Sequence, residues 1–136
     1  MSRKTKVLDS WALVAFFEDE KPASEKMEEL LSEAQESDLT LLVTTVNLGE
    51  VWYSLARDYS AAAADQKVAE IRNLGIEVVP ADWELAYQAA VIKAKGNIAY
   101  GDCFAAALAK MRKAEVVTGD KEFKHVEPEI KVLWLR

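Results

Sequence analysis

Short apolar runs, several of them β-branched, alternate with amphipathic stretches along this chain, and that alternation limits the fold more than any other feature. Residues 6–8, 39–45, 76–79 and 115–118 read as strands, with 131–135 as a fifth. Residues 11–17, 23–37, 61–74, 82–95 and 102–114 read as helices. Leu48, Val51, Trp52, Leu55 and Tyr59 form the stripe of one more, and Phe104, Leu108 and Met111 share a face near the end of the chain. Gly75 and Gly96 stop two of the helices. Strands that are apolar on both faces need cover on both faces, which the intervening helices supply. The expected fold is therefore α/β, a three-layer sandwich around a central, mostly parallel sheet of four to five strands. At 136 residues the chain is expected to form one domain over 1–136. Right-handed crossovers send the carboxyl ends of all parallel strands to one edge, where ligands of such sheets bind.

The acids fall at that edge. Asp9 directly follows the first strand and Asp120 closely follows the fourth. Glu50 lies in the first turn of the helix after the second strand. Asp102 opens a helix that runs back to feed strand 115–118, so its start belongs to the same edge. Each has an ordinary explanation. Asp9 and Asp102 suit helix N-caps, Asn47 and Glu50 match a capping box with Asn47 as the cap, and Asp120 suits a turn after Gly119. Taken together they ask for more. Two carboxylates about 4 Å apart repel by about 4 kcal/mol at an effective dielectric of about 20. A hard divalent cation with oxygen ligands, Mg²⁺ or Mn²⁺, neutralises such a group. Zinc is disfavoured, because the chain has one Cys and one His at no zinc-binding spacing. Ser10, Asn47, Ser54 and Thr118 accompany the acids as small polar groups. Gly49 and Gly101 stand beside Glu50 and Asp102, where they would permit close approach.

Charge and cysteine content narrow the classes further. A formal net charge of −6 argues against non-specific coating of nucleic acid through a broad basic face, though not against action on nucleic acid at one site. The single Cys103 cannot form an internal disulfide, which fits a reducing, cytoplasmic setting. The apolar N-terminal run is interrupted by Asp9 and followed by Glu18-Asp19-Glu20, so it reads as a first strand and helix rather than a leader. No apolar run is long enough to span a bilayer. Histidine-based nuclease chemistry is disfavoured with His125 alone in a charged loop, and Cys103 reads as a small buried packing residue. Trp11, Phe17, Trp52 and Tyr53 read chiefly as core, with a groove for a partner helix as the other reading.

The series VLDSWAL, TTVNLGEVW, YGDCFAAALA and VVTGDKEF, in that order and spacing, resembles the PIN domain, and in particular the VapC-type toxin ribonucleases of prokaryotic toxin–antitoxin pairs. The likeness spans nearly the whole chain, with residues 60–98 matching in layout alone. It implies that Asp9, Glu50, Asp102 and Asp120 are catalytic, metal-binding carboxylates and that Ser10, Asn47 and Thr118 support them. It further implies a Mg²⁺- or Mn²⁺-dependent endoribonuclease leaving a 5′-phosphate and a 3′-hydroxyl. The implied partners are an RNA substrate, a small antitoxin protein and a second copy of the chain. The alternative is a PIN-like module that binds a partner and cleaves poorly or not at all.

Overall fold

The computed structural model describes residues 4–36 and 38–136. The helix expected over 23–37 runs Ala23–Glu36, and residue 37 lies outside the described residues. The elements run β1 (Lys4–Leu8), α1 (Ser10–Phe17), α2 (Ala23–Glu36), β2 (Leu39–Thr44), α3 (Thr45–Asp58), α4 (Ala61–Asn73), β3 (Ile76–Val79), α5 (Trp83–Lys95), α6 (Tyr100–Arg112), β4 (Glu115–Thr118), a 3₁₀ turn (Lys121–Val126) and β5 (Val132–Trp134). The five strands form one sheet in the order β3-β2-β1-β4-β5, and every pairing is parallel.

Alternation along the central strands sorts the core into two halves. Leu8, Leu41, Val43 and Val117 point to one face of the sheet and pack with Leu13 of α1, Met27 of α2, Val51 and Leu55 of α3 and Ile71 of α4. Val7, Leu42 and Val116 point to the other, against Leu85, Ala89 and Ile92 of α5 and the side of α6. The strands are hydrophobic on both faces because helices cover both, which is the three-layer sandwich expected. Ala105, Ala106, Ala107 and Ala109 are fully buried, so α6 is enclosed on several sides by the sheet and its neighbouring helices, and its small side chains let them come close. Gly75, at φ +85°, supplies the left-handed residue between α4 and β3 that a side chain would resist.

Four local expectations are corrected. Thr45 is not the last residue of β2, because Thr44 caps the next helix and Thr45 already belongs to α3. Trp52 and Tyr59 are exposed rather than core. The buried stripe of α3 is Asn47, Val51 and Leu55, and Trp52 reaches sideways to donate from Nε1 to Asp65 of α4 at 2.8 Å. Met111 is exposed in the last turn of α6, off the buried face that Phe104 and Leu108 share. Tyr53 is also exposed, while Trp11 and Phe17 are half-buried.

Candidate active site

Parallel pairing places the carboxyl ends of β2, β1 and β4 side by side at the middle of one sheet edge. Asp9 leaves β1 there. It caps α1, its Oδ1 accepting from the Ala12 amide at 2.8 Å, while Oδ2 accepts from the Thr118 hydroxyl at the end of β4. Its side chain is completely buried. Burial, and next the neighbouring Asp120 and Glu50, push its carboxyl up to about 7. The bonds from Thr118 and Ala12 oppose that rise. Thr118 performs a second task, its Oγ1 accepting from the Asp120 amide at 2.9 Å. One hydroxyl thus fixes two acids from different strand exits.

The second strand contributes through Asn47. The capping assignment made from sequence is corrected here, since Thr44 and not Asn47 is the N-cap of α3. The Thr44 hydroxyl accepts from the Asn47 amide at 3.0 Å and donates to Asn47 Oδ1 at 2.7 Å. Thr44 can reach because it ends a strand in extended conformation, whereas Asn47 is already helical. Freed from capping, Asn47 turns its amide to the site. Nδ2 donates to Glu50 Oε1 at 2.9 Å and to the Gly101 carbonyl at 3.0 Å, tying α3 to α6. Glu50 packs on Gly101 so closely that a Cβ there would overlap the carboxylate. Gly49 has no such role, since a Cβ on it meets nothing.

Asp102 does not cap α6 either. The N-cap position is Ala99, which has no side chain to offer, and Asp102 sits in the first turn behind it. Among the described residues its carboxylate receives no hydrogen bond, although it is 7% exposed. Burial, then Asp120, Asp9, Glu50 and Glu122, push it up to about 8. Asp120 caps the 3₁₀ turn by accepting from the Glu122 amide at 3.0 Å. All four predicted acids therefore act on one another electrostatically at a single rim.

Glu122 is a fifth acid that sequence reasoning missed. Asp102, Asp120 and Glu122 each present an oxygen within 4.8 Å of the other two. Glu122 Oε1 also accepts from the Ala99 amide at 3.0 Å, tying the 3₁₀ turn to the residue that opens α6. The Asp120-x-Glu122 spacing was the available signal, since a 3₁₀ turn beginning at Asp120 swings the second acid back toward the helix start. Ser10 opens α1 beside Glu50 and Asp120, lining a concavity of about 230 Å³ with them. His125 and Lys121 are exposed, and Cys103 is fully buried with its thiol pushed up to about 11 by burial.

The donor set suits a hard cation. It is all oxygen, it is carboxylate-rich, and Asp9 and Asp102 are buried acids that a nearby positive charge would return to the ionised form. The larger surface concavity, about 860 Å³, lies at the opposite sheet edge among Lys4, Lys110, Lys113 and Lys131 and includes none of these acids.

The PIN domain family profile matches residues 6–128. This chain belongs to the PIN domain family. No curated protein sequence matched it. Among solved structures, it is similar to VapBC2 from Rickettsia felis bound to a DNA fragment from the promoter (18% identity, TM-score 0.72, covering 95% of this chain and 97% of that one). It is similar to Mycobacterium tuberculosis VapC20, a sarcin–ricin-loop-cleaving toxin (18%, 0.71, 88% and 92%). DNA-bound VapBC from Salmonella typhimurium also matches (17%, 0.69, 100% and 100%). In this PIN domain the first sequence motif joins the end of β1 to α1, the second opens α3, the third forms the first ten residues of α6, and the fourth is the exit of β4.

Proposed function

We propose that this PIN domain is a metal-dependent endoribonuclease and the toxin of a VapC-type toxin–antitoxin pair. The observation that carries the reading is the convergence of Asp9, Glu50, Asp102 and Asp120 at one rim, with Asp102 buried and unbonded. A bare cluster of this kind opposes its own ionisation, and a divalent ion, Mg²⁺ or Mn²⁺, resolves it. The solved relatives that are toxins or toxin–antitoxin complexes support the biological setting.

Asp102, Asp120 and Glu122 offer oxygens close enough to share an ion, and Asp9 and Glu50 add negative charge behind them. When bound, such an ion activates water for attack on phosphorus and offsets charge on the phosphate oxygens. The chain itself supplies the rest. Thr118 and Ala12 hold Asp9 in one orientation, and Asn47 holds Glu50 against Gly101. A carboxylate oxygen left free of hydrogen bonds, as on Asp102, is available to accept a proton. No protein nucleophile is needed, and the products would be a 5′-phosphate and a 3′-hydroxyl.

A small antitoxin and a second copy of the chain complete the proposal. Trp83 and Tyr87 sit side by side on the exposed face of α5, their rings tilted at 56° with centroids 5.9 Å apart, an apolar surface suited to burial in an interface. None of the described helices is long and apolar enough to cross a membrane. The buried, unpaired Cys103 fits a reducing cytoplasm.

The test is cleavage of single-stranded and structured RNA by the wild type and by Asp102→Asn, with Mg²⁺, Mn²⁺ or a chelator. Cleavage should need the metal and should vanish in the variant while its circular dichroism is unchanged. Wild-type rates in Asp102→Asn, or indifference to the chelator, would leave a partner-binding module instead.

A further inference from the structure

The concavity of about 230 Å³ beside the acids has a composition that metal binding does not explain. Its walls are α1, through Ser10, Trp11 and Val14, and α3, through Glu50, Tyr53, Ser54 and Arg57, with Glu20 after α1 also on the lining. The α3 residues recur at intervals of three and four, so they form one stripe leading from the acidic rim outward. Glu50 and Asp120 mark its inner end.

Two aromatic rings face this space under different constraints. Trp11 is fixed. Its indole lies on Gly119 so tightly that a Cβ there would overlap the ring, and the Arg136 guanidinium sits 5.0 Å from the ring centroid while Nε donates to the Gly119 carbonyl at 2.7 Å. Tyr53 is less constrained. It is 52% exposed, and the Arg57 guanidinium lies 5.9 Å from its ring centroid. Arg57 pairs only loosely, with the adjacent Asp58 at 3.9 Å. Among the described residues, neither the Ser10 nor the Ser54 hydroxyl makes a hydrogen bond. An exposed ring, an underused guanidinium and idle hydroxyls, set within reach of a carboxylate rim, are the parts that bind an unpaired nucleotide.

We propose that the α1–α3 concavity is a nucleobase subsite, in which one unpaired base of the RNA next to the scissile phosphate stacks on Tyr53. The inference rests on the nuclease reading of the acidic rim and adds to it the side chains that hold a base of the substrate. Arg57 pairs with the phosphate of the stacked nucleotide, and Ser10 and Ser54 meet the base edge. Trp11, locked on Gly119, acts as the rigid inner wall. A base within a duplex cannot enter, because stacking on a side chain requires that it leave its neighbours.

The experiment separates this subsite from the chemistry. A cleavage-deficient Asp102→Asn protein is titrated, without metal, into a fluorescein-labelled 12-nucleotide single-stranded RNA, and anisotropy gives Kd. Adding Tyr53→Ala should weaken binding about tenfold or more, while Tyr53→Phe, which keeps the ring, should stay within about twofold. Annealing the RNA to its complement should abolish the difference. In the otherwise wild-type protein, Tyr53→Ala and Arg57→Ala should raise KM, largely spare kcat, and flatten the preference for the base beside the cut. Equal Kd for Tyr53→Ala and its parent, or an unchanged base preference, overturns the proposal. So does a Tyr53→Ala protein that loses only its hold on a protein partner, which would make the concavity a protein groove. Absence of any metal-dependent cleavage by the wild type would defeat the nuclease reading and leave the binding arm to be judged alone.

Discussion

Asp9→Asn should make the metal-free protein more stable while removing its activity. The wild-type carboxyl is completely buried and raised from 3.8 to about 7, a difference of about 3 pH units. Each is worth about 1.4 kcal/mol, so ionising Asp9 within the metal-free fold costs about 4 kcal/mol by pH 8. The sign follows from proton counting. Between 3.8 and about 7 the folded state holds a proton that the unfolded chain has released, so stability is full below 3.8 and falls as pH rises through 7. At pH 5 only about 1.5 kcal/mol has been lost. Asparagine carries no charge to bury, keeps an oxygen for the Ala12 amide, and leaves only the Thr118 contact to rearrange. For a chain of 136 residues, about 4 kcal/mol corresponds to roughly 14 °C in Tm. Thermal unfolding in chelator at pH 5 and pH 8 should therefore show the variant's advantage over wild type growing by roughly 9 °C between the two. Any fixed effect of the altered Thr118 contact cancels in that comparison. Saturating Mn²⁺ should raise the wild-type Tm and close the gap. An advantage that stays constant or shrinks with pH would refute the claim that Asp9 is an uncompensated buried acid.

Other consequences are equally direct. Gly101→Ala places a methyl group on the Glu50 carboxylate, so the unfolding free energy should fall by about 1–3 kcal/mol and cleavage by at least about tenfold, as read by denaturation and initial rates. Asn47→Ala strands the Gly101 carbonyl and the Thr44 hydroxyl and should cost about 3 kcal/mol in urea denaturation. Thr118→Val removes the leading bond that holds the Asp9 carboxyl down, so the acid limb of the pH–rate profile should move to higher pH. Because Asp9 and Asp102 are both raised, metal binding at pH 7 should release protons, seen as a heat that depends on buffer ionisation enthalpy in calorimetry; a buffer-independent heat would contradict it.

The architecture was legible because each strand is an apolar run bounded by a clear stop, and β3 and β4 fall at the expected residues. The acids were placed by the same reasoning, since parallel strands leave their carboxyl ends together. What the residues did not reveal was the division of labour. Thr44 and Asn47 are both good capping residues, and only the strand's end point decides between them. Trp52 and Tyr59 fit a helical stripe by spacing, but α3 packs through a narrower face and α4 leaves them outside. Glu122 was hidden because its relevance depends on a 3₁₀ turn whose formation requires Asp120 to cap it.

The hydrogen bond from Thr118 to Asp9 joins groups 109 positions apart, and it lies between neighbouring strands at the centre of the sheet. During synthesis, a ribosome must add β4 before that bond can form, long after Asp9 has emerged. Until then the nascent polypeptide carries three acids without the strand that orders them. A truncated product, or one clipped ahead of β4, would be inert however well its earlier helices formed, so cleavage competence arrives only once β4 has been made.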